Sequence, residues 1–176
     1  MDKKFIMTAF GKDRPGIVAD VSQIIYENGC NLEDSTMTLL EDEFTIILLF
    51  AGREDGSLEN NLLNNCRRLE KEKGITAFMR PVSEVKLEPK QGISPHTIHV
   101  EGPDQSGIVY KVSRYLADNK VNIVNLVSRM RPAPESGMMI YTMDIDVEVP
   151  EGASLKKLDE GLDRVREELL LDIAVT

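Results

Sequence analysis

An internal repeat is the feature that most limits what this chain can fold into. Displaced by 91 positions, Gly11-Lys-Asp-Arg-Pro-Gly-Ile-Val18 lies over Gly102-Pro-Asp-Gln-Ser-Gly-Ile-Val109, and the match continues through Val21/Val112, Ser22/Ser113, Asn28/Asn119 and Asn31/Asn122. Nine of the 33 positions from Phe5 to Met37 are identical, where unrelated sequences of average composition would give roughly two. Any fold assigned to one half must therefore serve the other. Between the copies, the prolines and glycine of Ser83-Glu-Val-Lys-Leu-Glu-Pro-Lys-Gln-Gly-Ile-Ser-Pro95 interrupt regular structure, which predicts two domains, 1–86 and 94–176, joined by a linker at 87–93.

Each half reads as strand, helix, strand, strand, helix, strand. In the first, a β-rich run at Lys4–Phe10 precedes Ile17, Val18, Val21, Ile24 and Ile25, spaced as the apolar stripe of a helix that Gly29 would end. Asn31–Leu40 and Glu43–Ala51 flank a short turn, Leu58, Leu62, Leu63, Cys66 and Leu69 mark a second helix, and Ile75–Val82 supplies the last strand. The second half repeats the order: Thr97–Glu101, a helix striped by Ile108, Val109, Val112, Tyr115 and Leu116, and a hairpin from Asn122–Arg131 to Met138–Val149. One helix through Leu155, Leu158, Leu162, Val165 and Leu169 then leads to a strand at Leu170–Val175. A βαββαβ order with right-handed crossovers puts both helices on one face of a four-stranded antiparallel sheet. The expected fold class is α+β, two tandem ferredoxin-like domains. Because the other face of each sheet is left bare and so small a domain buries a limited core, pairing with another copy, within the chain or as a homo-oligomer, is expected.

Charge narrows the functions. Twenty-one Lys and Arg against thirty Asp and Glu leave a net charge of −9, split as −5 for residues 1–88 and −4 for 89–176, so neither half is a basic nucleic-acid module and no direct contact with DNA is expected. The longest strongly apolar run, Phe44–Ala51, is far short of the roughly 20 residues of a membrane span. With no secretory signal pattern at the N-terminus, a cytoplasmic protein without a membrane partner is expected. Cys30 and Cys66 lack zinc-site spacing and read as packing residues, while His96 and His99 would face opposite sides of a strand, so neither a metal nor another cofactor is expected. No nucleophile has a base beside it, and the chain reads as a non-enzyme.

The chemistry that remains sits where the first strand turns into the first helix. Gly11 and Gly16 permit close backbone approach, Asp13 is an N-cap candidate and Pro15 suits the first turn. Free N–H groups of Gly16, Ile17 and Val18 at a helix N-terminus would suit a carboxylate. Asp13 and Asn31 could offer oxygens to an ammonium group. The same residues also suit a plain turn, with Asp13 as a cap, the glycines as turn formers and Asn31 as the residue entering the second strand.

Gly11-Lys-Asp-Arg-Pro-Gly-Ile-Val-Ala-Asp-Val21, followed by Asn28-Gly-Cys-Asn-Leu-Glu-Asp-Ser35, resembles the opening of an ACT domain, the small regulatory module that binds amino acids. Both copies together cover nearly the whole chain. Asp42–Gly52 and Asn125-Leu-Val-Ser-Arg129 with Pro132-Ala133 resemble, more narrowly, regulators of glycine cleavage made of two ACT domains and little else. The resemblance implies an amino-acid-sensing transcriptional regulator of glycine cleavage or amino-acid metabolism. Glycine is the expected ligand, and the regulator would contact a transcriptional activator rather than DNA. The alternative it leaves is a regulatory subunit that binds and controls a metabolic enzyme. Carried over position by position, the ligand-binding residues are Asp13, Arg14, Pro15, Gly16, Ile17, Val18 and Asn31, and in the second copy Asp104, Gln105, Gly107, Ile108, Val109 and Asn122. The second copy departs from the pattern, with Gln105-Ser106 where the first has Arg14-Pro15.

Overall fold

The computed structural model describes residues 2–53, 55–82, 93–134 and 137–176. The chain divides into two compact units, Met1–Leu87 and Glu88–Thr176. Of the expected linker, all but Ile93 lies outside the described residues.

The amino-terminal unit runs β1 (Asp2–Lys12), α1 (Ile17–Glu27), β2 (Asn31–Leu40), β3 (Glu43–Arg53), α2 (Leu58–Lys73) and β4 (Thr76–Val82), with sheet order β2-β3-β1-β4 and every pairing antiparallel. The carboxy-terminal unit repeats it with β5 (Ile93–Pro103), α3 (Ile108–Asp118), β6 (Asn122–Pro132), β7 (Met139–Pro150), α4 (Leu155–Gly161), α5 (Asp163–Leu169) and β8 (Asp172–Val175), in the order β6-β7-β5-β8. Both are the expected ferredoxin-like sandwich. In each, alternate strand residues point to the helices: Phe5, Met7 and Ala9 with Phe44, Ile46, Leu48 and Phe50 in the first, Ile98 and Val100 with Met143, Ile145, Val147 and Val149 in the second. Ile17, Val21, Ile24 and Ile25 of α1, with Leu58, Leu62, Cys66 and Leu69 of α2, close the first core. Burial there pushes the Cys66 thiol up to about 11.

Several expectations need correction. Val18 and Val109 do not join their stripes. Each follows a buried isoleucine by one residue, a 100° step that turns it outward, and both are exposed. Pro95, expected to break the chain, lies inside β5, paired with Glu148 of β7. The long last helix of the second unit is in fact α4 and α5, broken at Leu162. There the Tyr115 hydroxyl donates to the Leu158 carbonyl at 2.9 Å, and the Leu162 N–H reaches back only three residues, to Asp159, at 3.0 Å. A Cβ on Gly161 would lie 1.9 Å from that hydroxyl oxygen, so glycine is what admits the tyrosine. Arg166 then holds the two half-helices to β8, donating to the Asp159 carbonyl at 2.8 Å, the Asp163 carboxylate at 2.6 Å and the Ile173 carbonyl at 2.6 Å. The chain leaves α5 through Leu170 at φ 51°, a left-handed C-terminal cap.

In β2 the register against β3 shifts between Leu32 and Asp34, and in β6 against β7 between Ile123 and Asn125. One extra residue, Glu33 or Val124, bulges from each edge strand.

Candidate functional site

The loop after β1 is a type II turn. The Ile17 N–H donates to the Arg14 carbonyl at 3.2 Å, with Pro15 preset for the first central position and Gly16, at φ 87° and ψ −3°, in the second, which demands positive φ. The Gly16 carbonyl then accepts the Asp20 N–H at 2.9 Å and starts α1. Gly16, rather than Asp13, is therefore the N-cap, and no side chain caps the helix. Asp13 is displaced from that role because the turn comes between it and the helix. Its own N–H donates to the Asp42 carbonyl at 2.8 Å, tying the loop to the β2–β3 turn, and its side chain is exposed. The turn also uses the Ile17 amide, one of the three N–H groups expected to be free. The N–H groups of Gly16, Val18 and Ala19 make no hydrogen bond among the described residues, and they sit at the positive end of the helix.

Arg14 is held to the helix. Its guanidinium donates to the Asp20 carboxylate at 2.6 Å, and Lys73 of α2 approaches the other oxygen at 3.6 Å. The Arg14 hydrogen bond, reinforced by Lys73, keeps the Asp20 carboxyl below the usual carboxylate range. This fixes the outer side of the turn to both helices. Asp20 and Lys73 were not candidates from sequence, since their meeting depends on how α1 lies against α2.

Gly11 does make a close approach, but to protein. A Cβ there would stand 3.2 Å from the Gly74 carbonyl and 3.5 Å from the Ile75 Cα, and its repeat partner Gly102 faces Leu171 Cδ2 at 2.7 Å and the Leu170 carbonyl at 3.0 Å. Both glycines let the entry to the last strand pack across β1 or β5.

The second loop keeps the left-handed glycine N-cap but, among the described residues, not the hydrogen bond that closes the first turn, and it changes the attachments. Gly107 stands at φ 95° and its carbonyl accepts from Lys111 N–H at 2.9 Å, while the Asp104 N–H donates to Met139 at 3.1 Å. Gln105, however, donates its side-chain amide to the Leu169 carbonyl, and Lys111 pairs with Glu168 at 2.6 Å. Where the first loop is fastened to its own helix, the second is fastened to α5. Ile108 is buried and Val109 exposed, as Ile17 and Val18 are.

Within one unit, Asn31 does not meet the loop. Asn31 pairs with Ala51, which pairs with Lys4; the loop follows Lys12, about 26 Å farther along the strand at 3.3 Å per residue. Asn122 is likewise level with Pro95, at the far end of β5 from the loop that follows Pro103, and it donates to Glu148 at 3.1 Å. Each unit thus brings together Asp13, Gly16 and Val18, or Asp104, Gly107 and Val109, and leaves its asparagine at the opposite end of the sheet.

The backbone pattern of loop, turn and helix coincides with a family match: residues 3–80 fit the ACT domain. The amino-terminal unit belongs to the ACT-domain family. The second unit shares the repeat and the topology of the matched one. Over 169 residues the chain is 27% identical to the glycine cleavage system transcriptional repressor of Escherichia coli (strain K12), an alignment that covers 93% of this chain and 84% of that protein. Among solved structures, an unknown protein from Galdieria sulphuraria aligns over 99% of this chain and 98% of its own, with a TM-score of 0.80 and 29% identity. A protein described as a candidate glycine cleavage system transcriptional repressor shares the two-unit fold, with a TM-score of 0.71 at 22% identity over 100% of this chain and 97% of its own. No helix among the described residues is long and apolar enough to cross a membrane.

Proposed function

We propose that this ACT-domain chain is an amino-acid-sensing regulator that controls transcription of glycine cleavage through contact with another protein. Support comes above all from the likeness to the Escherichia coli repressor, which runs through both units rather than one domain. In this reading the ACT modules occupy residues 1–86 and 94–176, and a small amino acid, glycine first, sits on the first loop. Its carboxylate takes the N–H groups of Gly16, Val18 and Ala19, and Asp13 offers a carboxylate to its ammonium group. Arg14, Pro15 and Ile17 act by holding the turn. The second loop, from Asp104 and Gln105 through Gly107, Ile108 and Val109, is a second binding position of altered attachment. Asn31 and Asn122 take part only where another module or another chain brings one against a loop. The net charge of −9 agrees with action on a protein rather than on duplex DNA.

A thermal-shift screen of the twenty amino acids tests the ligand, because a ligand of the native state at about 100 times its dissociation constant adds about 2.7 kcal/mol of stability. A small amino acid should raise the melting temperature in the wild type and less so in Asp13→Ala. If none of the twenty moves it at 10 mM, the sensing reading fails. Affinity capture from the native cell with and without that amino acid tests the output, and recovery of a metabolic enzyme in place of a transcriptional activator would replace the proposed target.

A further inference from the structure

The two units have diverged on the sheet face that their helices leave open. In the first, this face presents Ile6, Thr8, Phe10, Ile47, Leu49 and Phe78, with Phe78 58% and Ile47 38% exposed. At the same positions of the second, fixed by the 91-residue offset and the strand register, stand Thr97, His99, Glu101, Asp144, Asp146 and Ala174. There His99 bonds the Asp144 carboxylate at 2.6 Å and Thr97 bonds Asp146 at 3.0 Å. One face is apolar and the other is a hydrogen-bonded, charged surface that suits water.

We propose that the open face of the amino-terminal unit is a self-association surface, packing against the same face of a second copy about a two-fold axis parallel to the strands. The chemistry selects a like partner. An apolar patch gains by meeting another, whereas covering it with the carboxylates of the opposite unit's open face would strip them of water. The dimensions suffice: four strands at about 4.8 Å spacing over eight residues at about 3.3 Å give roughly 500 Å² per copy, close to the lower bound of a specific interface when doubled.

The charges select the axis. One row across the sheet reads Asp34, Leu49, Ile6, Arg80, from the β2 edge to the β4 edge. Among the described residues neither Asp34 nor Arg80 has an ion-pair partner, and three strand spacings, about 14 Å, separate them. Rotation about an axis along the strands lays the β2 edge of one copy over the β4 edge of the other at the same level. Asp34 then meets Arg80 of the second copy, twice, at the rim of an apolar centre. This assembly is independent of whether the loop binds an amino acid.

Sedimentation velocity on the full chain from 1 to 100 µM, at low and high salt, decides the matter. The expected result is a dimer with a dissociation constant of about micromolar order, weakened at least about tenfold in Ile47→Lys and Phe78→Lys, with circular dichroism melting curves like the wild type's. Asp34→Arg and Arg80→Asp should each weaken it severalfold at low salt, and the double variant should restore it, while Asp144→Lys on the opposite unit leaves it unchanged. A monomer at 100 µM would overturn the proposal, as would a dimer indifferent to both apolar variants. Failure of the double variant to recover would overturn the axis.

Discussion

Replacing Gly16 with alanine isolates the energy held in the β1–α1 turn. Gly16 stands at φ 87° and ψ −3°, and a Cβ built there meets no atom within 4 Å. Steric overlap with the rest of the protein therefore contributes nothing, and the whole cost is the backbone preference of an L-residue against positive φ, about 1–2 kcal/mol. Gly16→Asn should cost about half as much, because asparagine tolerates this region and is the other residue found at that position of a type II turn. Urea unfolding followed by circular dichroism reads the difference. With slopes of about 1–2 kcal/mol per molar for a domain of this size, Gly16→Ala should lower the midpoint of the amino-terminal unit by about 1 M with an unchanged slope. An alanine variant as stable as wild type would mean that the turn has no positive-φ residue to strain. Asparagine more damaging than alanine would mean that side-chain bulk, rather than backbone conformation, sets the cost. Either result would also remove the physical basis for placing the free amides of Gly16, Val18 and Ala19 as described.

Two other sites give contrasting outcomes. Leu170 is 75% exposed at φ 51°, so Leu170→Gly should stabilise the carboxy-terminal unit by up to about 1 kcal/mol, read as a higher urea midpoint, because glycine carries no penalty at a left-handed cap. Asp20 titrates below the ordinary carboxylate range because Arg14 and Lys73 favour its charged form. A depressed folded-state pKa contributes stability that is present above the unfolded value, about 3.9, and is lost as pH falls through the folded one. Arg14→Ala should therefore raise the Asp20 pKa in a carboxyl NMR titration and flatten the fall of stability below about pH 4, and an unmoved Asp20 would refute the pairing.

The order and topology of both units were legible in the sequence because two independent signals agreed. The 91-residue repeat required one solution for both halves, and the helical stripes of Ile17, Val21, Ile24 and Ile25 and of Ile108, Val112 and Leu116 named the buried faces. What escaped depends on the third dimension. Val18 and Val109 carry the same apolar side chain as residues that are buried, and only the sheet's position tells which way they point. The break at Leu162 is set by a tyrosine 47 positions away in sequence, so the leucines at steps of three and four read as one helix. The loop was legible as a turn with glycines in the right places. Its cap was misplaced because Asp13 satisfies the composition of an N-cap without its geometry. Asn31 follows α1 closely in sequence, and nothing in its spacing reveals that the helix has carried the chain to the other end of the sheet.

The bulges at Glu33 and Val124 record an order of events. They stand 91 positions apart, at the same point of the same edge strand, although the two residues share neither charge nor size. An extra residue inserted twice independently at one register would be a coincidence, so a single ancestral domain already carried the bulge when its gene was copied and joined in tandem. The sheet faces behind those strands, apolar in one descendant and acidic in the other, differ, so at least one of them has changed since the copying. Duplication gave the lineage a spare copy of a backbone whose shape was settled, and the two copies were free to specialise in the surfaces they show to other molecules.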